Sequence, residues 1–547
     1  MNSRLIKKGV AFSAPVLPPG ITPVVIVSGS DYEMGYQYGQ QVGQYIEIKK
    51  DEVWASRLKT RNYDEVLLAL KGVQYYVEKY HPELIEQMKG IADGATAHGY
   101  KVSYIDVLII NASMPRLDYF NYPADAEKEE LPPEKKCSVF SAWGTAITDG
   151  SLIGCDSVDA YPIGYNVMVI AFPEKGNNWM GGMEAGTLSQ HFCMNNKGLF
   201  LGNSGGGGSS RKEDTDYGTN WQFMHQYLMR FANNAIEAKD MTMSWQITES
   251  ENFHFADVYG NAFVVEATAA LKSVRKPGDF GEVDFLFSTN NYLNEAMKPT
   301  KEGQTFMGEH GGYGTYSSPR NMMLWDMLHN YHGKIDLEFA KMMWRFPGNL
   351  SNPPEGGWDA VICRPTNNRV TVSTPDNGDK GFTYLCTGPV GRVLHSSTDS
   401  TGKVMRPTYE LVDGTHTFYK VVLAASPAAV VEEALKTAQY DIATAYKEFM
   451  QIKVTDPGFA FLNDLFSLTN AEYCEGRNFY TQALLANKGN ERMLLFAKAA
   501  TALTRSQAHA QQLYEALVPP PTDPTMLGHL PFGGNWAEWE TRVGPIK

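Results

Sequence analysis

The feature that most constrains the fold is a long succession of strand-like segments in the middle of the chain. Apolar segments rich in β-branched and aromatic residues recur between residues 137 and 386, and turn signals separate them. Many strands in succession, joined by hairpin turns, predict largely antiparallel sheets. The predicted strands are Tyr165 to Phe172, Gly198 to Gly202, Phe253 to Ala267, Phe285 to Ser288, Ala360 to Arg364, Val370 to Ser373 and Phe382 to Cys386.

Helical patterns surround and interrupt these strands. A buried strand at 23–29 precedes a capped helix from Gly29 to Gln41, and helical spacing continues from Asp64 to about His98. Asn220 to Lys239 and Ser318 to Asn330 also look helical, so the chain is predicted to be an α+β protein. After Pro427 the chain becomes helical. We therefore expect a helical N-terminal segment at 1–136, a catalytic domain at 137–425 and an added C-terminal helical lobe at 426–547.

Charge and composition exclude several classes of partner. The formal net charge is -13 and no run of Lys and Arg stands out, so neither nucleic acid nor an anionic membrane surface is expected as a partner. No apolar run approaches the ~20 residues that span a bilayer. The six cysteines include no C-x-x-C pair, which argues against a zinc site. The poor secretory signal favours a cytoplasmic protein, with a periplasmic or secreted protein whose signal was removed as the alternative.

The composition changes abruptly at Cys137. The preceding segment NYPADAEKEELPPEKK, residues 121–136, is charged and rich in proline, and it is predicted to be an exposed loop. The following segment, CSVFSAWGTAITDGSLIGCD, looks like two strands about a turn at Asp149-Gly150. A thiol that begins a chain has a free α-amine beside it, with a pKa of ~7.7–8.0, that accepts a proton near neutral pH. Cys137 gains such an amine only if the bond from Lys136 is cleaved.

Several motifs appear in the order found in a known enzyme family. GSDYEMGYQYG near the start is followed by HPELIEQMKGIADGATAHG, the Cys137 hairpin, MNNKGLFLGN, FADVYGNAFVVEAT, STNNYLNEAM and YSSPRNMML. Across roughly residues 25 to 390 the chain resembles the penicillin acyltransferase-like family (isopenicillin N acyltransferase, peptidase C45) of N-terminal-nucleophile hydrolases, related to choloylglycine hydrolases. The resemblance implies a four-layer αββα sandwich of antiparallel sheets. It also implies an α/β heterodimer made from one chain by self-cleavage, with a higher oligomer possible, and neither a metal nor an organic cofactor.

The resemblance also implies the residues of the site. Cys137 is the nucleophile, and Asn203 and Asn290 match the side-chain amides that stabilise the oxyanion, with a turn and a cap as their alternative roles. Arg320 matches an arginine near the nucleophile, the alternative being a solvated helix start. The family's orienting aspartate falls in GCDSVD, where Asp156 and Asp159 are both available and Asp159 is preferred. Cys155 stands where many relatives have arginine, which departs from the pattern.

These residues predict an amidase that hydrolyses a linear amide of a small molecule through a thioester on Cys137. Acyl transfer to an amine is the first alternative, and a phospholipase B-like acyl hydrolase is a more distant one. A noncatalytic binding protein on the same fold is the alternative from another class.

Overall fold

The computed structural model describes residues 22–59, 61–114, 136–159, 166–188, 192–205, 215–290, 292–297, 318–345, 359–364, 369–373, 382–385, 391–412 and 418–518. Within these ranges the helices are α1 (Asp31–Leu58), α2 (Tyr63–Tyr80), α3 (Pro82–Ala97), α4 (Tyr104–Asn111), α5 (Trp221–Phe231), α6 (Ala235–Ser244), α7 (Ser318–Asn330), α8 (Leu337–Arg345), α9 (Pro427–Phe449), α10 (Phe459–Leu485) and α11 (Asn490–Leu517). No described helix combines the length and apolar character needed to cross a bilayer.

The strands in the same ranges are β1 (Val24–Gly29), β2 (Lys136–Ala142), β3 (Leu152–Asp159), β4 (Asn166–Pro173), β5 (Trp179–Glu184), β6 (Phe192–Asn195), β7 (Leu199–Gly205), β8 (Glu251–Asp257), β9 (Ala262–Ala267), β10 (Lys272–Arg275), β11 (Phe285–Ser288), β12 (Asp359–Arg364), β13 (Arg369–Ser373), β14 (Phe382–Leu385), β15 (Gly391–Ser396), β16 (Thr408–Val412) and β17 (Phe418–Val422). The predicted strands are confirmed, except that Phe253 to Ala267 is two antiparallel strands, β8 and β9, with a turn between Asp257 and Ala262. The predicted helix at 220–239 is likewise two helices, because Asn234 begins α6 with its own side-chain cap.

The strands form two large sheets and one small one. The first sheet has the order β1-β4-β5-β6-β7-β8-β9-β10, the second β11-β2-β3-β15-β16-β17 and the third β12-β13-β14. The pairs are antiparallel as predicted, except that β1 pairs with β4 in parallel. The N-terminal segment is thus not only helical, because it supplies the edge strand of the first sheet.

Three apolar cores of the described residues lie against the two large sheets. One core lies between helices α1 to α6 and one face of the first sheet, which contributes Val169. A second core joins the two large sheets, with Phe200 from the first and Val139 from the second, and it continues into the C-terminal helices. A third core lies between the second sheet and helices α7 and α8, with Phe140 and Leu324 among its members. The chain is therefore a mixed α+β protein with helices against both large sheets.

Helices α1 and α3 approach each other through glycines. A Cβ atom added to Gly35 would lie 2.0 Å from the carbonyl oxygen of Gln87, and one added to Gly39 would lie 2.1 Å from that of Ile91. Glycine is required at such a close approach because any side chain collides with the facing backbone. The Tyr-Glu-x-Gly-x-x-x-Gly pattern in the sequence is thus a helix-packing motif.

The free edge of β1 is covered by side chains. Gln41 donates to the carbonyl oxygen of Ile26 at 2.9 Å and accepts from its amide at 3.3 Å, and Gln37 does the same for Ser28 at 3.0 and 2.7 Å. Thr501 of α11 accepts from the Val24 amide at 2.9 Å. Unpaired backbone groups at a sheet edge invite pairing with another chain, so α1 and α11 together protect this edge.

Candidate functional site

Cys137 lies at the start of β2, between β11 and β3 in the second sheet. Side chains alternate between the two faces of a strand, so Cys137 shares a face with Val139 and Ser141. Val139 belongs to the core between the sheets, and Ser141 contacts His254 of the first sheet. Cys137 is only 3% exposed. The thiol position therefore belongs to the space between the two sheets.

Asn290 holds the backbone nitrogen of Cys137. The Cys137 amide donates to Asn290 Oδ1 at 2.6 Å, and Asn290 Nδ2 donates to the carbonyl oxygen of Gly205 at 2.8 Å. Asn290 is 2% exposed and follows the end of β11. The structure therefore brings together Cys137 and Asn290, which the sequence analysis chose from widely separated motifs.

The strand register distinguishes the two aspartates. Asp156 stands opposite Val139, whereas Asp159 stands opposite Lys136. Because residues directly opposite each other share a face, Asp156 lies on the face of Cys137 and the position of Asp159 belongs to the other face. Asp156 is fully buried, and its Oδ2 accepts from the backbone amide of Asn203 at 3.2 Å. The geometry thus favours Asp156 over the Asp159 preferred from sequence.

Asn203 contacts Asp156 through its backbone amide and not through its side chain. On β7 it alternates with Gly202 and Ser204, and it shares a face with Leu201, which belongs to the core beneath the helices. The buried Oδ1 of Asn203 has no hydrogen-bond partner in the described part of the chain. Its N–H, by contrast, points to Asp156. The geometry therefore gives little support to the oxyanion role of the Asn203 side-chain amide that was expected from sequence.

The two sheets approach closely where these residues meet. A Cβ atom on Gly202 would lie 2.4 Å from Cγ1 of Val139 and 3.3 Å from Oδ2 of Asp156. Likewise, a Cβ atom on Gly154 would lie 2.4 Å from Cδ2 of Phe200. Glycine at both positions allows β7 to bring its backbone amides to the face that carries Cys137.

Arg320 lies in the first turn of α7, and its side chain is outside the described residues. The next residue, Asn321, is buried and accepts from Thr289 Oγ1 at 3.0 Å. Because Thr289 precedes Asn290, the start of α7 is tied to the segment that holds the Cys137 nitrogen. The predicted role of Arg320 stays a prediction.

Cys155 lies on the other face of the second sheet from Cys137. It stands opposite Phe140, and both are fully buried in the core against α7 and α8. Burial in apolar surroundings is typical of a structural cysteine. Among the described residues, no group of three or more His, Cys, Asp or Glu forms a candidate metal site.

Sequence reasoning missed a polar network behind Asn290. The carbonyl oxygen of Thr289 accepts from Ser204 Oγ at 2.7 Å and from Asn252 Nδ2 at 2.8 Å. His254 lies 2.8 Å from Ser141 Oγ through Nε2 and 3.3 Å from Ser288 Oγ through Nδ1. Burial, reinforced by the charge of Arg275, lowers the pKa of His254 well below its usual value, so the imidazole is neutral. The sequence signal that could have indicated this network is the presence of isolated polar residues inside otherwise apolar strands.

Comparisons with known proteins give partial likenesses. No family model matches the chain. A curated relative from Archaeoglobus fulgidus, described as an uncharacterized protein, is 29% identical over 187 residues, which cover 32% of this chain and 31% of the relative. The match thus spans about a third of the length of that relative.

Solved structures similar to this chain include an acylase and a hydrolase. Penicillin V acylase from Agrobacterium tumefaciens is similar with a TM-score of 0.28 and 12% identity, over 52% of this chain and 86% of that chain. Two variants of conjugated bile acid hydrolase from Clostridium perfringens have TM-scores of 0.27 and 0.25 and 14% identity, over 45% of this chain and 92% of theirs.

Proposed function

We propose that this protein is a self-processing cysteine N-terminal-nucleophile amidase that hydrolyses a linear amide through a thioester on Cys137. The observation that carries the proposal is the 2.6 Å hydrogen bond from the Cys137 nitrogen to Asn290 Oδ1. Cleavage after Lys136 converts this nitrogen into an α-amine. Because the amine would donate one proton to Asn290, its lone pair would stay available for the thiol proton.

The arrangement of cores supports the fold that such an enzyme needs. Helices pack against the outer faces of the two large sheets, and the sheets face each other across a shared core. We propose that these are the layers of an αββα N-terminal-nucleophile sandwich of the penicillin acyltransferase-like kind. Residues 1–136 would form the α-subunit of a heterodimer made from one chain.

The chemistry follows from the positions of the polar groups. The Cys137 sulfur attacks the carbonyl carbon while its proton passes to the α-amine, and the amine then protonates the leaving nitrogen as the C–N bond breaks. Water attacks the resulting thioester and gives a proton to the α-amine, which passes it to the sulfur as the C–S bond breaks, so the acid and the free thiol are released. The side-chain amide of Asn290 is the proposed oxyanion donor, and one such donor is worth roughly 2.7–4 kcal/mol.

Two charged residues complete the proposed site. Asp156 is buried on the face of Cys137, where a negative charge favours the protonated α-amine that forms during each step. Arg320 is proposed to lower the thiol pKa or to bind a substrate carboxylate, so Arg320→Lys should lower turnover because lysine lacks the planar fork of donors.

Mass spectrometry of the purified protein with a panel of N-acyl amides tests the function. Processing should release pieces of 136 and 547 − 136 = 411 residues. Cys137→Ala should block both processing and turnover. Cys155→Ala is the matched control because its thiol is buried on the opposite face, and it should still process. An active protein that stays intact on a denaturing gel would refute self-cleavage.

A graded excess of amines decides between hydrolysis and acyl transfer. We expect free acid to be the main product, because the described residues around Cys137 serve the nucleophile and the oxyanion. If acylated amine dominates at modest amine concentration, the enzyme is an acyltransferase.

A further inference from the structure

A buried ion pair lies behind the segment that carries Asn290. Glu266 of β9 and Arg275 of β10 are each 1% exposed, with Arg275 Nε at 3.4 Å from Glu266 Oε1. A second carboxylate, that of Glu282, lies 3.1 Å from Arg275 Nη1. Glu266 interrupts the otherwise apolar strand AFVVEA.

Glu266 binds the backbone downstream of Asn290. Its Oε1 accepts from the amide of Leu293 and its Oε2 from the amide of Asn294, both at 2.9 Å. The hydroxyl of Tyr292 reinforces this attachment by donating to the carbonyl oxygen of Ala267 at 2.6 Å. The carboxylate thus holds two consecutive N–H groups that begin three residues after Asn290.

Arg275 binds the backbone upstream of Asn290. Its Nη2 donates to the carbonyl oxygen of Phe287 on β11, three residues before Asn290. The guanidinium therefore joins β11 to Glu266. The two charged groups together bind the backbone on both sides of Asn290. Among the contacts of the described residues, neither Glu266 nor Arg275 contacts Cys137, so neither side chain takes a direct part in the proposed chemistry.

Stability alone does not account for such a pair. Burying two charges costs several kcal/mol per ion, and apolar replacements of buried pairs are often neutral or stabilising. Burial also raises the pKa of Glu266 against the opposing effect of Arg275. A rigid backbone at Asn290 would, however, favour catalysis, because catalytic groups must be held within about 0.5 Å of their productive geometry.

We propose that Glu266 and Arg275 are positioning residues that fix Asn290 against the nitrogen of Cys137. The proposal rests on the proposed function. Loss of the hydrogen bonds on either side lets the backbone at Asn290 shift. The Asn290 amide then no longer lies at hydrogen-bonding distance from the Cys137 nitrogen and the oxyanion.

Glu266→Gln tests the proposal with little change of volume. Glutamine has one acceptor oxygen where the carboxylate has two, so one of the two amides faces an NH₂ group instead. We expect kcat to fall on the order of 100-fold, as a misplacement of 1 Å can cause, with KM changed less than about threefold. Self-cleavage should slow in parallel.

Asp31→Asn is the matched control. Asp31 follows β1, at the edge of the first sheet opposite to β10, and it pairs with buried Arg230 at 2.6 Å. This variant should lose stability without a fall in kcat. If Glu266→Gln does not fold, Arg275→Lys decides, because lysine keeps the charge beside Glu266 but cannot also reach Phe287 and Glu282.

The outcomes separate the two proposals. A wild-type protein that neither self-cleaves nor hydrolyses any amide overturns the proposed function. A wild-type protein that does both, together with variants of Glu266 and Arg275 whose kcat is unchanged or falls no more than that of Asp31→Asn, overturns the positioning role alone.

Discussion

Replacing Gly35 by alanine should destabilise the protein through the contact between helices α1 and α3. The added Cβ atom would lie 2.0 Å from the carbonyl oxygen of Gln87 and 3.0 Å from the nitrogen of Ile91. Carbon and oxygen atoms that are not bonded do not approach within 3.0 Å, so the helices must separate locally by at least about 1 Å. Backbone on both sides of the contact cannot give way as a flexible side chain would.

The magnitude follows from two opposing effects. Overpacking of a well-packed core costs typically 1–3 kcal/mol, and a collision with backbone belongs at the upper end, about 3 kcal/mol. Alanine recovers about 1 kcal/mol because it is a better helix former than glycine. The net loss in the free energy of unfolding is therefore about 2 kcal/mol.

Gly72→Ala is the matched control, because Gly72 lies within α2 and the nearest atoms to its added Cβ belong to Tyr217 at 4.0 Å. Only the higher helix propensity of alanine applies there, so the free energy of unfolding of this variant should rise by about 1 kcal/mol. Urea unfolding followed by tryptophan fluorescence measures both variants. If the two midpoints are the same within error, the close approach of α1 and α3 is wrong.

Three further predictions concern the site, the pH dependence and the sheet edge. Asp156→Asn should slow self-cleavage more than Asp159→Asn on a time course of denaturing gels, and the reverse order would restore Asp159 as the acid. Burial lowers the pKa of His81 from 6.5 to about 3, so the unfolded chain binds a proton that the folded chain does not. The contribution of His81 to stability should thus be full above pH 6.5 and fall by about 1.4 kcal/mol per pH unit from there to about pH 3. His81→Gln should reduce the pH slope in unfolding measurements by that amount, and an unchanged slope would show that the histidine is not responsible. Replacing Gln37 and Gln41 together by leucine should expose the edge of β1 and produce larger species in light scattering, and an unchanged mass would show that the edge needs no cover.

Much of the secondary structure could be predicted because its signals are local. The strand Phe285–Ser288 and the helix Ser318–Asn330 match the predicted bounds. Apolar alternation and helical spacing depend only on neighbouring residues, so they are legible without knowledge of the fold.

Cys137 and Asn290 were also within reach of the sequence, because the order of motifs around them resembles a known family. The sequence alone did not decide between Asp156 and Asp159. A two-residue hairpin would have set the register, but β2 ends at Ala142 and β3 begins at Leu152, and a longer connection does not determine which residues face each other.

The sequence by itself determined the α+β class, the order of the strands along the chain and a cysteine at the start of a strand, since each rests on local pattern or motif. Only the tertiary structure decided that Asp156 shares the face of Cys137 and accepts from the backbone N–H of Asn203. It also decided that Glu266 and Arg275 bind the backbone on both sides of Asn290. These contacts join strands of two different sheets. Their geometry depends on register and on the packing of the sheets against each other, which no short stretch of sequence encodes.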